Sequence, residues 1–160
     1  MTIRRNRFAW IPADAIQAGT TESLRIERNR FHHVTPYLRA SEHADPIQLH
    51  GTARNVIVRS NYFHDQPRGL IAKRAAFHNL VIENNLMVRL SNVALNIYDA
   101  PGVRIVNNTI WNTGLGLRLN DLPQVDAKMK RAVLVNTIID TQRKPLVLTK
   151  WLWLDRTASR

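Results

Sequence analysis

The chain has 160 residues, 44% hydrophobic and 22% charged, a balance that excludes wholesale disorder and suits one domain with a buried core. It contains no cysteine, which excludes disulfides, thiolate metal sites and cysteine nucleophiles. Lys and Arg outnumber Asp and Glu by 23 to 12, and the net charge of +11 favours a polyanionic partner: nucleic acid, anionic lipid or acidic polysaccharide.

The first stretch, MTIRRNRFAWIPADAI, holds no apolar run of the signal-peptide kind, and no run of about 18 apolar residues occurs, so no membrane span is expected. One segment type then recurs: IRRNRF (3–8), IERNRF (26–31), VRSNYF (58–63), IENNLM (82–87), IVNNTI (105–110) and VLVNTI (133–138). Each reads apolar-x-x-Asn-x-apolar. The aligned asparagines are Asn6, Asn29, Asn61, Asn85, Asn108 and Asn136, separated by 23, 32, 24, 23 and 28 residues. A second type lies between them: DAIQAG (14–19), DPIQLHG (45–51), RGLIAK (68–73), ALNIYD (94–99), GLRLND (116–121) and PLVLTK (145–150). Its apolar and polar residues alternate with period two, as in a half-buried strand. The inward pairs are Ile16/Ala18, Ile47/Leu49, Leu70/Ala72, Leu95/Ile97, Leu117/Leu119 and Leu146/Leu148.

Two short strands per period of about 23 residues, with no amphipathic helix between, predict a parallel β-solenoid of about six coils. Coils stack at about 4.8 Å and share one core. The asparagines suit tight corners because Asn tolerates left-handed backbone, and each amide can bond the one a coil away. Phe8, Phe31, Phe63, Met87, Ile110 and Ile138 follow two positions later and are expected to stack inside.

These coil asparagines and paired strands, including DPIQLHG and VIVRSNYFHD, resemble the right-handed parallel β-helix superfamily, the pectate-lyase-like fold, over essentially the whole chain. The resemblance implies an all-β fold with residues 1–160 as a single β-helix domain, read as a segment of a longer helix. It implies lyases, epimerases, glycoside hydrolases or tailspike-like binding proteins, acting on polysaccharide outside the cell or at its surface. Calcium is the cofactor known in the pectate lyases of this fold, where clustered aspartates hold it. Here Asp14, Asp45 and Asp99 lie on different coils, and no metal ligand is assigned. Polygalacturonase-like Gly-His-Gly is absent, and Asp45-Pro46 runs into Ile47-Gln48 where mannuronan epimerases carry Asp-Pro-His-Asp.

Two insertions, about Thr35–Ala44 and Asp121–Arg131, break the coil length and are expected to flank a binding groove. Between them the outward rows read Gln17, Gln48, Ile71, Asn96, Arg118, Val147 and Gly19, His50, Lys73, Tyr98, Asn120, Thr149. Uronate elimination needs a cation for the substrate carboxylate, a base for the proton beside it and an acid for the leaving oxygen. Lys73 is the candidate base, Arg118 the carboxylate binder, and Tyr98 or His50 the acid. Asp45, Gln48, His43 and Asn96 are the candidate substrate contacts.

His32, His33, His64 and Asp65 offer imidazoles and a carboxylate for a metal, yet equivalent turn positions explain them as well. The leading reading is thus a lyase or epimerase-like protein for an acidic, uronate glycan, and the alternative a non-catalytic carbohydrate-binding or structural segment. Nucleic acid is the weaker partner, because no serial aromatic platform accompanies the charge. The first coil motif starts at Ile3, which predicts self-association or continuation there, while Trp151, Leu152, Trp153 and Leu154 are expected to cover the last coil.

Overall fold

Period-two alternation makes every apolar segment a strand, and left-handed corners beside the repeat asparagines turn the chain back onto itself. A computed structural model describes residues 1–36, 43–73, 76–120 and 131–148. The two insertions fall largely outside them, at 37–42 and 121–130, as do Thr149 and the cap expected at Trp151–Leu154.

One parallel sheet stacks β1 (Thr2–Arg4), β5 (Arg25–Glu27), β8 (Ala53–Arg59), β10 (Phe77–Glu83), β12 (Arg104–Val106) and β14 (Val133–Val135) in that order, with β4 (Thr21–Glu22) also against β8. The other stacks β2 (Arg7–Ile11), β6 (Arg30–Val34), β9 (Tyr62–Lys73), β11 (Leu86–Tyr98), β13 (Thr109–Asn120) and β15 (Ile138–Leu148). Within it, β3 (Ile16–Ala18) pairs with β7 (Ile47–His50), and β7 with β9. Coils are numbered below in the order of the first sheet. No helix occurs among the described residues.

The long strands serve two sides of the coil because they bend at a left-handed residue. Asp65, Arg89 and Asn112 make that bend in β9, β11 and β13, with φ of 54°, 54° and 52°. Trp10 and His33 make it in the first two coils, at 59° and 54°.

Inside, Phe8, Phe31 and Phe63 stack with ring centroids 4.8 Å apart and planes 6° from parallel. Met87 and Ile110 continue the column. Beside it runs the asparagine ladder. The Asn61 Oδ1 accepts the backbone N–H and the Nδ2–H of Asn29, both at 3.0 Å. Asn61 in turn donates Nδ2–H to the Ile26 carbonyl at 2.9 Å and to Asn85 Oδ1 at 3.1 Å. Asn6, Asn29 and Asn85 repeat the pattern, and Asn29 to Asn108 are buried, so their polar groups are satisfied where an orphan would be costly.

Two expectations are corrected. The left-handed corner residue is the one before each ladder position: Arg5, Arg28, Ser60, Asn84, Asn107 and Asn136, with φ between 49° and 58°. The ladder asparagine itself is used for its inward amide. The sixth repeat is also shifted by one. Ile110 pairs with Ile139, and Thr137 takes the ladder position, accepting Asn108 N–H on Oγ1 at 3.4 Å. Asn136 stands outside, bonded to Asn107 Oδ1, and Ile138 is 65% exposed.

Candidate functional site

Beyond the bend, alternation sends Ile47, Leu49, Leu70, Ala72, Leu95, Ile97, Leu117 and Leu119 into the core and the intervening residues out. Register places Gln17 beside Gln48, Gln48 beside Ile71, Ile71 beside Asn96, and Asn96 beside Arg118. His50 pairs with Lys73, and Tyr98 with Asn120. Among the described residues these registers agree with the rows that the alternation predicts.

They line a cleft of about 320 Å³ containing Lys73, Tyr98, Asn96 and Arg118, with His43, Asp45 and Arg68 on one wall. A more open hollow of about 600 Å³ adjoins it through His43 and Lys73, and holds His50, Gln48 and Gln17. Lys73 thus stands between the two. Of the eight candidate residues, Lys73, Tyr98, Arg118, Asn96, Asp45 and His43 share the cleft, while His50 and Gln48 belong to the hollow.

Arg68 was absent from the sequence reading and organises the wall. Its Nη1 donates to Asp45 Oδ1 at 3.1 Å and to His43 Nδ1 at 2.9 Å. The signal beside it is Gly69, where an added Cβ would come 2.3 Å from the Ala94 carbonyl, so the next coil approaches as only glycine allows. Asp14 was also not assigned to the site. Its carboxylate accepts the Asp45 backbone N–H at 2.8 Å and the Gln48 side-chain amide, tying the hollow to the entry of β7. Gln48 is 7% exposed and already committed, so it shapes the floor more than it offers a contact. Asn96 accepts from Asn120 Nδ2 at 3.2 Å.

Asp45 is the unusual group. It is 1% exposed, and its Oδ2 has no hydrogen-bond partner among the described residues. Burial pushes its carboxyl up from the ordinary value, against the pull of Arg68.

A stacked, all-parallel architecture with an asparagine ladder narrows the family, and comparison agrees: the family described as "right handed beta helix region" matches residues 1–144. The chain belongs to that family. Among curated proteins, a search finds no match. Among the described residues of this β-helix, Arg68 holds Asp45, Gln48 holds Asp14, and no three His, Asp or Glu side chains converge on a metal position. The histidines of coils 2 and 3 are likewise occupied. His32 and His64 stack at 5.0 Å, and their Nε2 atoms accept Arg7 and Arg30 Nε–H. No helix described in this β-helix is long and apolar enough to cross a membrane.

Proposed function

We propose that the cleft binds an acidic glycan through its uronate carboxylates and eliminates across the adjoining glycosidic bond. The observation that carries this reading is the convergence of Lys73, Arg68 and Arg118 with Tyr98 on one cleft wide enough for a sugar unit. Arg118 neutralises the carboxylate, whose charge grows as the neighbouring carbon loses its proton. Lys73 takes that proton, and the electron pair forms the new carbon–carbon double bond. The glycosidic C–O bond breaks, and Tyr98 protonates the departing oxygen. His50, in the adjoining hollow, contacts the next unit in place of serving as the acid. An extracellular or cell-surface setting follows from this reading.

The test is a screen of pectate, alginate and glycosaminoglycans for the ultraviolet absorbance of the unsaturated product. Lys73→Ala should abolish turnover while shifting stability by no more than about 0.5 kcal/mol, as for a surface substitution. Arg118→Ala should raise KM more than it lowers kcat, since it holds the ground-state carboxylate too. Tight binding without absorbance change in the wild type would convert the cleft into a carbohydrate-binding site. Unchanged affinity in both variants would remove the site from this cleft.

A further inference from the structure

The corner before each ladder position needs a left-handed residue, and asparagine accepts that conformation more readily than other side chains bearing a Cβ. Coils 4 to 6 use it: Asn84, Asn107 and Asn136. Coils 1 and 2 place Arg5 and Arg28 there, at φ of 58° and 56°. The backbone therefore gives no reason for arginine at this corner. Two residues on, Arg7 lies in register with Arg30, so at and just after this corner two neighbouring coils expose Arg5, Arg7, Arg28 and Arg30. Neighbouring coils are about 4.8 Å apart, a separation at which like charges repel.

The side chains are held ready for a partner. Arg7 and Arg30 each give Nε–H to an imidazole, at 3.0 and 2.9 Å, an interaction that leaves the terminal nitrogens of the guanidinium fork uncommitted by it. Arg30 also lies over the Tyr62 ring, 5.7 Å from its centre. Neither Arg5 nor Arg28 forms an ion pair among the described residues. Trp10, 68% exposed, lies flat on His33 with centroids 4.0 Å apart, at the far end of the same strands.

We infer that this arginine corner is a second binding site for the acidic polysaccharide, an anchor outside the cleft that grips a longer stretch of the polymer. It rests on reading the cleft as an acidic-glycan site. The corner precedes the bend of β2 and β6, and the cleft lies on the strands after it, so the two are distinct surfaces. Guanidinium forks match carboxylates two oxygens at a time, which suits arginine over lysine here. The rows of charge repeat at the coil spacing, comparable to the length of one sugar unit. Single-stranded nucleic acid calls for successive aromatic platforms, and this surface has one exposed tryptophan.

The test uses the whole chain with Arg5→Asn and Arg28→Asn combined, substitutions that the left-handed corner accepts, with a thermal melt as the check on folding. Calorimetric titration compares polygalacturonate polymer with a uronate tetrasaccharide across a salt series. The double variant should lose roughly tenfold in affinity for the polymer, and the log–log salt slope should fall by about two, one for each cation removed. Tetrasaccharide affinity should not change. Polymer affinity and slope equal to the wild type would overturn the inference. So would loss of duplex DNA binding with polymer binding intact, which would make nucleic acid the occupant. Lys73→Ala and Arg118→Ala, titrated alongside, separate the two sites: normal binding in these with loss in the corner variant would sink the cleft reading, whereas loss in these with normal binding in the corner variant would sink the anchor alone.

Discussion

In the first three coils the internal column is aromatic, Phe8 on Phe31 on Phe63, and the outer face carries Arg7, Arg30, His32 and His64. In the last three the column is Met87, Ile110 and Ile139, and the matching outer residues include Leu86, Val88 and Trp111. Coils of both halves share the left-handed corner before the ladder position, and the asparagine ladder crosses the divide as far as Asn108. A solenoid thus separates what the fold requires from what it tolerates. Positions that stay constant along the axis report on stacking, and positions that change report on what each coil is for.

The sharpest way to test that contrast is to cut both columns. Phe31→Ala removes a ring stacked on both faces and should cost about 4 kcal/mol in urea denaturation, while Met87→Ala, in a more adaptable column, should cost about 3 kcal/mol. A larger loss at Met87 would mean that the aromatic stack is not what sets the first half apart. The ladder comes next, because it crosses the divide. Asn61→Ala orphans the Asn29 amide and the Ile26 carbonyl in a buried setting and should cost about 3 kcal/mol. Asn6→Ala, at an exposed position, should cost about 1 kcal/mol or less.

Much of this architecture was legible because stacking maps distance along the chain directly onto distance along the axis. Five of six ladder positions, and every described outward residue, follow from counting. The sixth failed for a local reason: Asn-Thr-Ile occurs at both 108–110 and 136–138, but the last coil begins its equivalent one residue later. The corner role was hidden because Arg5, Arg28 and Ser60 hold a conformation that their side chains do not advertise. In the cleft, Lys73, Tyr98 and Arg118 were readable from alternation, whereas Arg68 and Asp14 were not. Both act through contacts between segments more than 20 residues apart, Arg68 on Asp45 and Asp14 on Gln48, which no periodicity encodes.

Acid should divide the halves as well. The His32 imidazole is held below its ordinary 6.5 by burial and by the nearby Arg7 charge. Its neutral form is the one the fold prefers, so this contribution is full above about 6.5 and is lost as pH falls through the folded value. Arg89 on coil 4, and then His64, hold the Asp65 carboxyl of coil 3 well below its ordinary 3.8, so this tie between the halves persists to lower pH and fails only in strong acid. Hydrogen exchange at pH 7.5 and 5.5 should show coils 1 to 3 losing protection before coils 4 to 6. His32→Val, which installs the residue found in register at Val88, should remove the difference. Uniform loss along the axis would show that the imidazoles do not govern it.

The smallest expected effect is a gain, and it tests whether the sixth coil is a true continuation of the ladder. Thr137 meets the Asn108 N–H with a hydroxyl at 3.4 Å, a long contact, and Asn108 Nδ2 turns back to the Val106 carbonyl at 3.1 Å. Everywhere earlier in the ladder a carboxamide oxygen accepts both hydrogens at 3.0 or 3.1 Å. Thr137→Asn supplies that oxygen at the same position and should stabilise the chain by about 1 kcal/mol, the net value of one buried amide hydrogen bond. Asn136→Thr, offered as the control, puts a β-branched residue at the left-handed corner and breaks the outer bond to Asn107, so it should destabilise by a similar amount. If the two substitutions act with opposite signs in chemical denaturation, residue 137 is the ladder position and the one-residue shift of the last coil stands. A gain from neither, with loss from both, would mean that the last coil tilts away from the axis, and that the ladder ends at Asn108.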